Sequence, residues 1–340
     1  MVLDNKSRAN ITRCVLERAD KTNLSRCFSE APWFQERVND RRLPSLLQQT
    51  QAVRGPKTDA VRILDDPFCA HVGSLCDDVD RHDQHGHETY PLAHHPVTSS
   101  DVSGPVRLPV DLRLSRRYEA LTQWAAFVHQ HLPDRPIPTK NKARAPLQKV
   151  VDPVLWQDPA FAQWHQQFRT KIALGSALLE AAMQHTVPLR MLWFDRWDLA
   201  EALVARARYR NKDGISLLTK QRNLETNSFM LQDATGHALP LEGPPIAVEA
   251  LVPLIPRTAS RAVTVGDTTY GTCTLAVRLP GLGTVRLVVS FRNAALTGTS
   301  VVLVRHRVDW KAPRIIPLSV QRWPMETFSQ DGTGHLGLDT

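Results

Sequence analysis

The chain has 340 residues, enough for a sizeable core, and its 42% hydrophobic content is that of an ordinary globular protein. A net charge of +8 and a pI near 9.5 favour a polyanionic partner, nucleic acid foremost. No apolar run approaches the ~18 residues of a membrane span, residues 1–6 lack the layout of a signal peptide, and the five cysteines contain no C-x-x-C pair. These features exclude a disulfide scaffold and a transmembrane helix, and they predict a soluble, cytoplasmic protein with free thiols.

Residues 1–50 read as helical and basic, with the pattern broken at Asp40-Arg41-Arg42-Leu43-Pro44. Residues 60–66 are rich in Val, Ile and Leu, predict a buried strand, and end on Asp65-Asp66. The His-, Asp-, Ser- and Pro-rich stretch 77–104 reads mainly as loop. Alternation from Val106 to Leu114 predicts a half-buried strand, placed at a sheet edge by Pro109. Helix follows at 116–131, then a Pro- and Lys-rich linker at 133–147 and the longest helical pattern of the chain at 159–185. The aromatics Trp124, Phe127, Trp156, Phe161, Trp164 and Phe168 have helical spacing and predict core.

A second apolar run, 189–195, ends on Asp195, and 197–210 return to helix. From about 222 to 310 Val, Thr, Leu and Gly dominate, and 271–291 predict a hairpin turning at Leu279-Pro280-Gly281-Leu282-Gly283. The expected organisation is a helical region 1–55, a first core segment 56–221, a β-rich insertion 222–310 and a final helical segment 311–340.

A single strand-end aspartate is most often a turn cap. Two on separate strands, followed by Glu326 in a helical context, point to a carboxylate set for divalent cations. Mg²⁺ prefers hard oxygen ligands, and two metals ~3.5–4 Å apart can activate an attacking oxygen while stabilising the leaving one. The six histidines His71, His82, His85, His87, His94 and His95 lack the spacing of a zinc site and read as a solvated loop. Basic residues cluster at Arg206, Arg210, Lys212 and Lys220, on and after the helix that follows Asp195. That placement suggests phosphate contacts beside a metal site.

Phe194-Asp195-x-Trp197 and Arg322-Trp323-Pro324-Met325-Glu326 resemble the DDE transposases of bacterial insertion sequences. The resemblance is to the group with a long β-rich insertion before the glutamate and a closing Tyr-x2-Arg-x3-Glu-x6-Lys signature. It extends over most of the chain, through Leu64-Asp65-Asp66, Tyr90-Pro91-Leu92-Ala93-His94 and His335-Leu336-Gly337-Leu338. It implies an α/β ribonuclease-H-like mixed sheet flanked by helices, interrupted by the β-rich insertion before the last catalytic helix. It further implies metal-dependent cleavage of element ends and strand transfer into target DNA. Asp66, Asp195 and Glu326 would hold two Mg²⁺ or Mn²⁺ ions, and Arg322 would contact DNA. A homodimer on DNA and a location at the bacterial nucleoid are also implied. The family pattern of Asp followed by Thr or Ser selects Asp66 over Asp65, yet Pro67 stands where the Thr belongs. The signature Tyr falls on Ser319 and its Lys on Thr333. With the short C-terminus, these departures raise the alternative of a DNA-binding remnant that cuts poorly.

Overall fold

The computed structural model describes residues 35–56, 60–67, 69–70, 80–81, 91–139, 141–184, 191–195, 201–232, 238–241 and 244–322. Helix α1 (Gln35–Gln49) runs straight through Pro44, where the sequence predicts a break. An interior proline costs a helix ~3 kcal/mol, and here tertiary bonds offset it. Asn39 donates to the Asp111 carboxylate at 3.0 Å, and Arg42 donates to the carbonyls of Pro109 and Val110.

Strand β1 (Val61–Asp65) is the expected buried strand. The short strands β2 (Cys69–Ala70), β3 (Asp80–Arg81) and β4 (Leu92–His94) form a small sheet of their own in the order β2-β4-β3. Next come β5 (Pro96–Ser103) and β6 (Val106–Leu114). The loop expected over 77–104 is therefore corrected at 80–81 and from residue 92 onward. β5 escapes detection because its sequence, Pro-Val-Thr-Ser-Ser-Asp-Val-Ser, carries almost no apolar signal. It is nonetheless paired on both edges, to β1 and to β6, so its backbone groups are satisfied in the interior. Its buried Asp101 is met by Arg54 at 3.0 Å and by Arg62 at 3.8 Å. β6 is the terminal strand, as Pro109 predicts, and its register slips opposite that proline.

A helical unit follows: α2 (Thr122–His131), α3 (Asn141–Leu155) and α4 (Pro159–His165). α3 starts inside the stretch expected as linker. These helices enclose Trp124, Val128, Val151, Leu155 and Phe161, with Phe127 and Trp164 packed against them. The aromatic spacing thus marks core, except at Trp156, which is 48% exposed. The single long helix expected over 159–185 is two helices, because α5 (Lys171–Gln184) has its own start. The Thr170 hydroxyl accepts from the Ala173 amide at 3.2 Å and caps it.

Strand β7 (Met191–Phe194) is parallel to β1. Helix α6 (Glu201–Tyr209) leads to β8 (Asp213–Leu217), parallel to β7. The β-rich block contributes β9 (Asn223–Gln232), β10 (Ala238–Leu241), β11 (Ile246–Ala247), the short helix α7 (Val248–Leu251), β12 (Arg261–Val265), β13 (Thr268–Leu279), β14 (Gly283–Phe291) and β15 (Ser300–Arg305). β13 and β14 are the expected hairpin, closed at Leu279 and Gly283, with Gly281 and Gly283 at positive φ. Helix α8 (Ala312–Val320) comes last.

The large sheet is 12-stranded, with the path β10-β9-β13-β14-β15-β8-β7-β1-β5-β6. The block 222–310 therefore has no detached sheet of its own. β15 pairs antiparallel with the open edge of β8, Leu303 against Leu217, and extends the strands that carry the aspartates. One core explains the continuity. Val61, Ile63, Met191 and Trp193 share a cluster with Val288, Leu303, Ile315 and Ile316, so α8 packs over both halves of the sheet. On the opposite face α5 and α6 cover Leu64, Val97, Leu192 and Phe194. The architecture is a mixed, open α/β sheet flanked by helices. Among the described residues no helix is long and apolar enough to cross a membrane.

Candidate metal centre

The β1–β7 register decides which aspartates meet. These parallel neighbours pair Leu64 with Phe194, so Asp65 and Asp195 stand opposite each other at the next step. Side chains alternate along a strand. Val61, Ile63, Met191 and Trp193 face the core under α8, which sends Asp65 and Asp195 out on that same face. Asp66 has the opposite parity and turns toward α5. There Lys171, the first residue of α5, donates to its carboxylate at 2.5 Å, and His95 Nε2 lies 2.9 Å from the same oxygen.

One oxygen from each of Asp65, Asp66 and Asp195 lies within 4.8 Å of the others. The two strand-end aspartates singled out from the sequence are thus brought together. The partner that shares a face with Asp195, however, is Asp65, and Asp66 is already engaged by Lys171 and His95. Glu326 lies outside the described residues.

The electrostatics follow this division. Burial, and then the nearby Asp195 charge, push the Asp65 carboxyl up to about 6, against the pull of Arg322 and the Asp66 amide. Burial would also raise Asp66, but hydrogen bonds from His95 and Lys171 outweigh it and hold that carboxyl below its usual range. Arg322 occupies the turn after α8, its amide donating to the Ser319 carbonyl at 3.2 Å. Its guanidinium donates to Asp195 at 3.0 Å. A clustered set of oxygen donors with crowded negative charge suits a hard divalent cation, whose charge would relieve the Asp65–Asp195 repulsion.

The other expected phosphate-contacting residues do not gather here. Arg206 and Arg210 both bond Glu180 of α5 at 2.6 Å, on the sheet face opposite Asp65 and Asp195. Lys212 precedes β8, at the far end of the strands from the aspartates, and Lys220 is exposed beyond the near end of β8. Sequence order after Asp195 placed Arg206 and Arg210 near the site, but α6 folds back onto α5 and removes them.

Three contributors were not legible as site residues: Asp65 as the facing carboxylate, His95 and Lys171. The alternation along β1 holds the signal for Asp65, but only once the register with β7 is known. His95 hides among loop-like histidines. Lys171 lies 105 positions from Asp66 and carries no local signal.

No family model matches the chain, and no curated protein matches it.

Proposed function

We propose that this chain is a DDE-type DNA transposase, a divalent-metal-dependent enzyme that cuts phosphodiester bonds at element ends and joins the freed 3′-hydroxyl to target DNA. The observation that carries the reading is the in-register opposition of Asp65 and Asp195 at the ends of adjacent parallel strands inside a mixed sheet. The partial order β6-β5-β1-β7-β8, with β5 antiparallel to β1 and to β6 and the last two strands parallel to β1, supports a ribonuclease-H-like core. The net charge of +8 supports DNA as partner.

In this proposal Asp65 and Asp195 are the central ligands. Glu326, four residues after Arg322 in the sequence, is the third. Asp66, pinned by Lys171 and His95, adds an oxygen at the rim of the site. Two Mg²⁺ or Mn²⁺ ions held there would supply Lewis-acid activation of the attacking oxygen and charge stabilisation of the leaving one. Arg322 orients Asp195 from the turn after α8. Water is the first nucleophile and a DNA 3′-hydroxyl the second, so no side-chain nucleophile is required.

The test is nicking of supercoiled plasmid in the presence of Mg²⁺ or Mn²⁺. The wild-type chain should convert it to nicked circle, and Asp65→Asn and Asp195→Asn should not. Nicking that persists in Asp195→Asn would end this reading.

A second reading, a DNA-binding remnant without efficient cleavage, is favoured by one observation. Ser319, where the resembling family has Tyr, donates its hydroxyl to the Ile316 carbonyl at 2.7 Å and is spent inside α8. Under that reading the wild type binds DNA but nicks poorly, and Ser319→Tyr with Thr333→Lys raises nicking about ten- to a hundredfold, the worth of recovered charged contacts in the transition state.

A further inference from the structure

A cleft of about 170 Å³ opens where β12, β13 and β14 meet the start of α8, and its rim is cationic. Arg261, Arg286 and Lys311 line it, with Thr272 and Thr274 between them. Among the described residues no acidic side chain lines it. Strand parity puts Arg261, Thr272, Thr274 and Arg286 on one face. Their neighbours Cys273, Leu275, Leu287 and Val289 point into the core on the other side. That face is the one from which Asp65 and Asp195 emerge, because the same cluster under α8 holds Val61 and Trp193 beside Val263 and Val288.

The cationic groups are available. Arg261 and Lys311 are exposed, and among the described residues neither forms an ion pair. Arg286 is held in place by donating to the Val308 carbonyl through two nitrogens. Lys311 is also the N-cap of α8, gives no side-chain cap, and is followed by Ala312 and by Pro313, which has no N–H. The positive end of the helix dipole adds to three cationic side chains, of which Arg286 is held in place. One helix links this cleft to the carboxylates. Lys311 immediately precedes α8, and the turn after the helix delivers Arg322 to Asp195. The nine residues of α8 rise about 12 Å, so the helix and the turn after it span a few nucleotides of one DNA strand at about 3.4 Å each.

We propose that this cleft is a second phosphate-binding site, and that it grips the DNA backbone a few nucleotides from the metal centre, along α8. The proposal rests on the transposase reading for its ligand, a DNA phosphodiester. The two can fail separately. Contacts of this kind set affinity and register without reading bases.

The experiment measures binding of a fluorescent DNA duplex by anisotropy across a salt series, with plasmid nicking assayed in parallel. Arg261→Gln combined with Lys311→Gln should lower affinity roughly 30- to 100-fold at ~0.1 M salt and flatten the log K against log salt slope by about 1.8, the loss of two phosphate contacts. Arg261→Lys with Lys311→Arg keeps the charge and should retain wild-type binding. Both positions are exposed, so the thermal melt should be unchanged and shows that a loss is not unfolding. Metal-dependent nicking with an unchanged slope in the Gln pair overturns the cleft and spares the transposase. A flattened slope without any nicking upholds the cleft and removes the transposase. A wild-type chain that does not bind DNA at low salt overturns both.

Discussion

Arg322 and Asp195, 127 residues apart in sequence, meet at 3.0 Å in a bond that ties the end of α8 to the end of β7. The turn after α8 aims the guanidinium at the strand-end carboxylate, where it counters the charge shared by Asp195 and Asp65. Arg322→Gln should therefore raise the Asp65 carboxyl further above about 6. Loss of one partly exposed charged hydrogen bond should also cost about 1–2 kcal/mol of stability. Carboxyl titration by NMR and urea unfolding check the two effects, and an unmoved Asp65 titration contradicts the first.

Asp65 sets a pH dependence of the opposite sign to an ordinary ion-paired aspartate. Its folded value, about 6, lies above that of the unfolded chain, so the folded state binds the proton more tightly. Its contribution is favourable at low pH and is lost as pH rises from about 4 to about 6, for a total of up to ~3 kcal/mol. Asp65→Asn removes the penalty. It should stabilise the protein at pH 7.5 by up to ~3 kcal/mol and much less at pH 4. Mg²⁺ should raise the wild-type melting temperature at pH 7.5 and leave that of Asp65→Asn nearly unchanged. Equal stabilisation by the substitution at both pH values would falsify the burial account.

Lys171 holds Asp66 from the start of α5, and its removal leaves His95 in contact with that carboxylate. Lys171→Met should raise the Asp66 carboxyl toward its usual range. Because Lys171 is 29% exposed, solvent screening limits the cost to about 1 kcal/mol. The loss should appear above the unfolded carboxyl value and fade in acid, where Asp66 is protonated in both states. Urea midpoints at pH 7 and pH 3 measure it.

Arg305 is fully buried at the junction of β15 and α8. It donates to Asp213 at 2.8 Å and to Asp309 at 2.5 Å, and its guanidinium stacks 3.6 Å from the centre of the Trp310 ring. Arg314 contacts the same ring at 3.6 Å. Arg305→Met leaves the buried Asp213 carboxylate with the half-exposed Arg307 at 3.4 Å and should cost about 3 kcal/mol. Arg305→Lys keeps the charge but loses the planar fork, so its cost should fall between Met and wild type. Chemical denaturation ranks the three.

The apolar runs at 61–65 and 191–194, the edge strand marked by Pro109 and the hairpin turning at Gly281 were legible because local pattern determines them. Each is a short segment whose alternation or turn residues leave few other conformations. The charge and the strand-end aspartates likewise pointed toward polyanion chemistry from sequence alone. Tertiary structure decided the rest. β5 is a strand because two neighbours saturate its backbone, a fact its polar sequence hides. α1 passes Pro44 because Arg42 and Asn39 hold it to β6. The β-rich block joins the main sheet because β15 finds the open edge of β8. Which aspartate faces Asp195 depends on the register between strands separated by more than a hundred residues, and a one-residue slip reverses the answer. Periodicity within a segment is written locally. The pairing of segments is settled by which edges and faces remain to be buried, and only the folded chain contains that information.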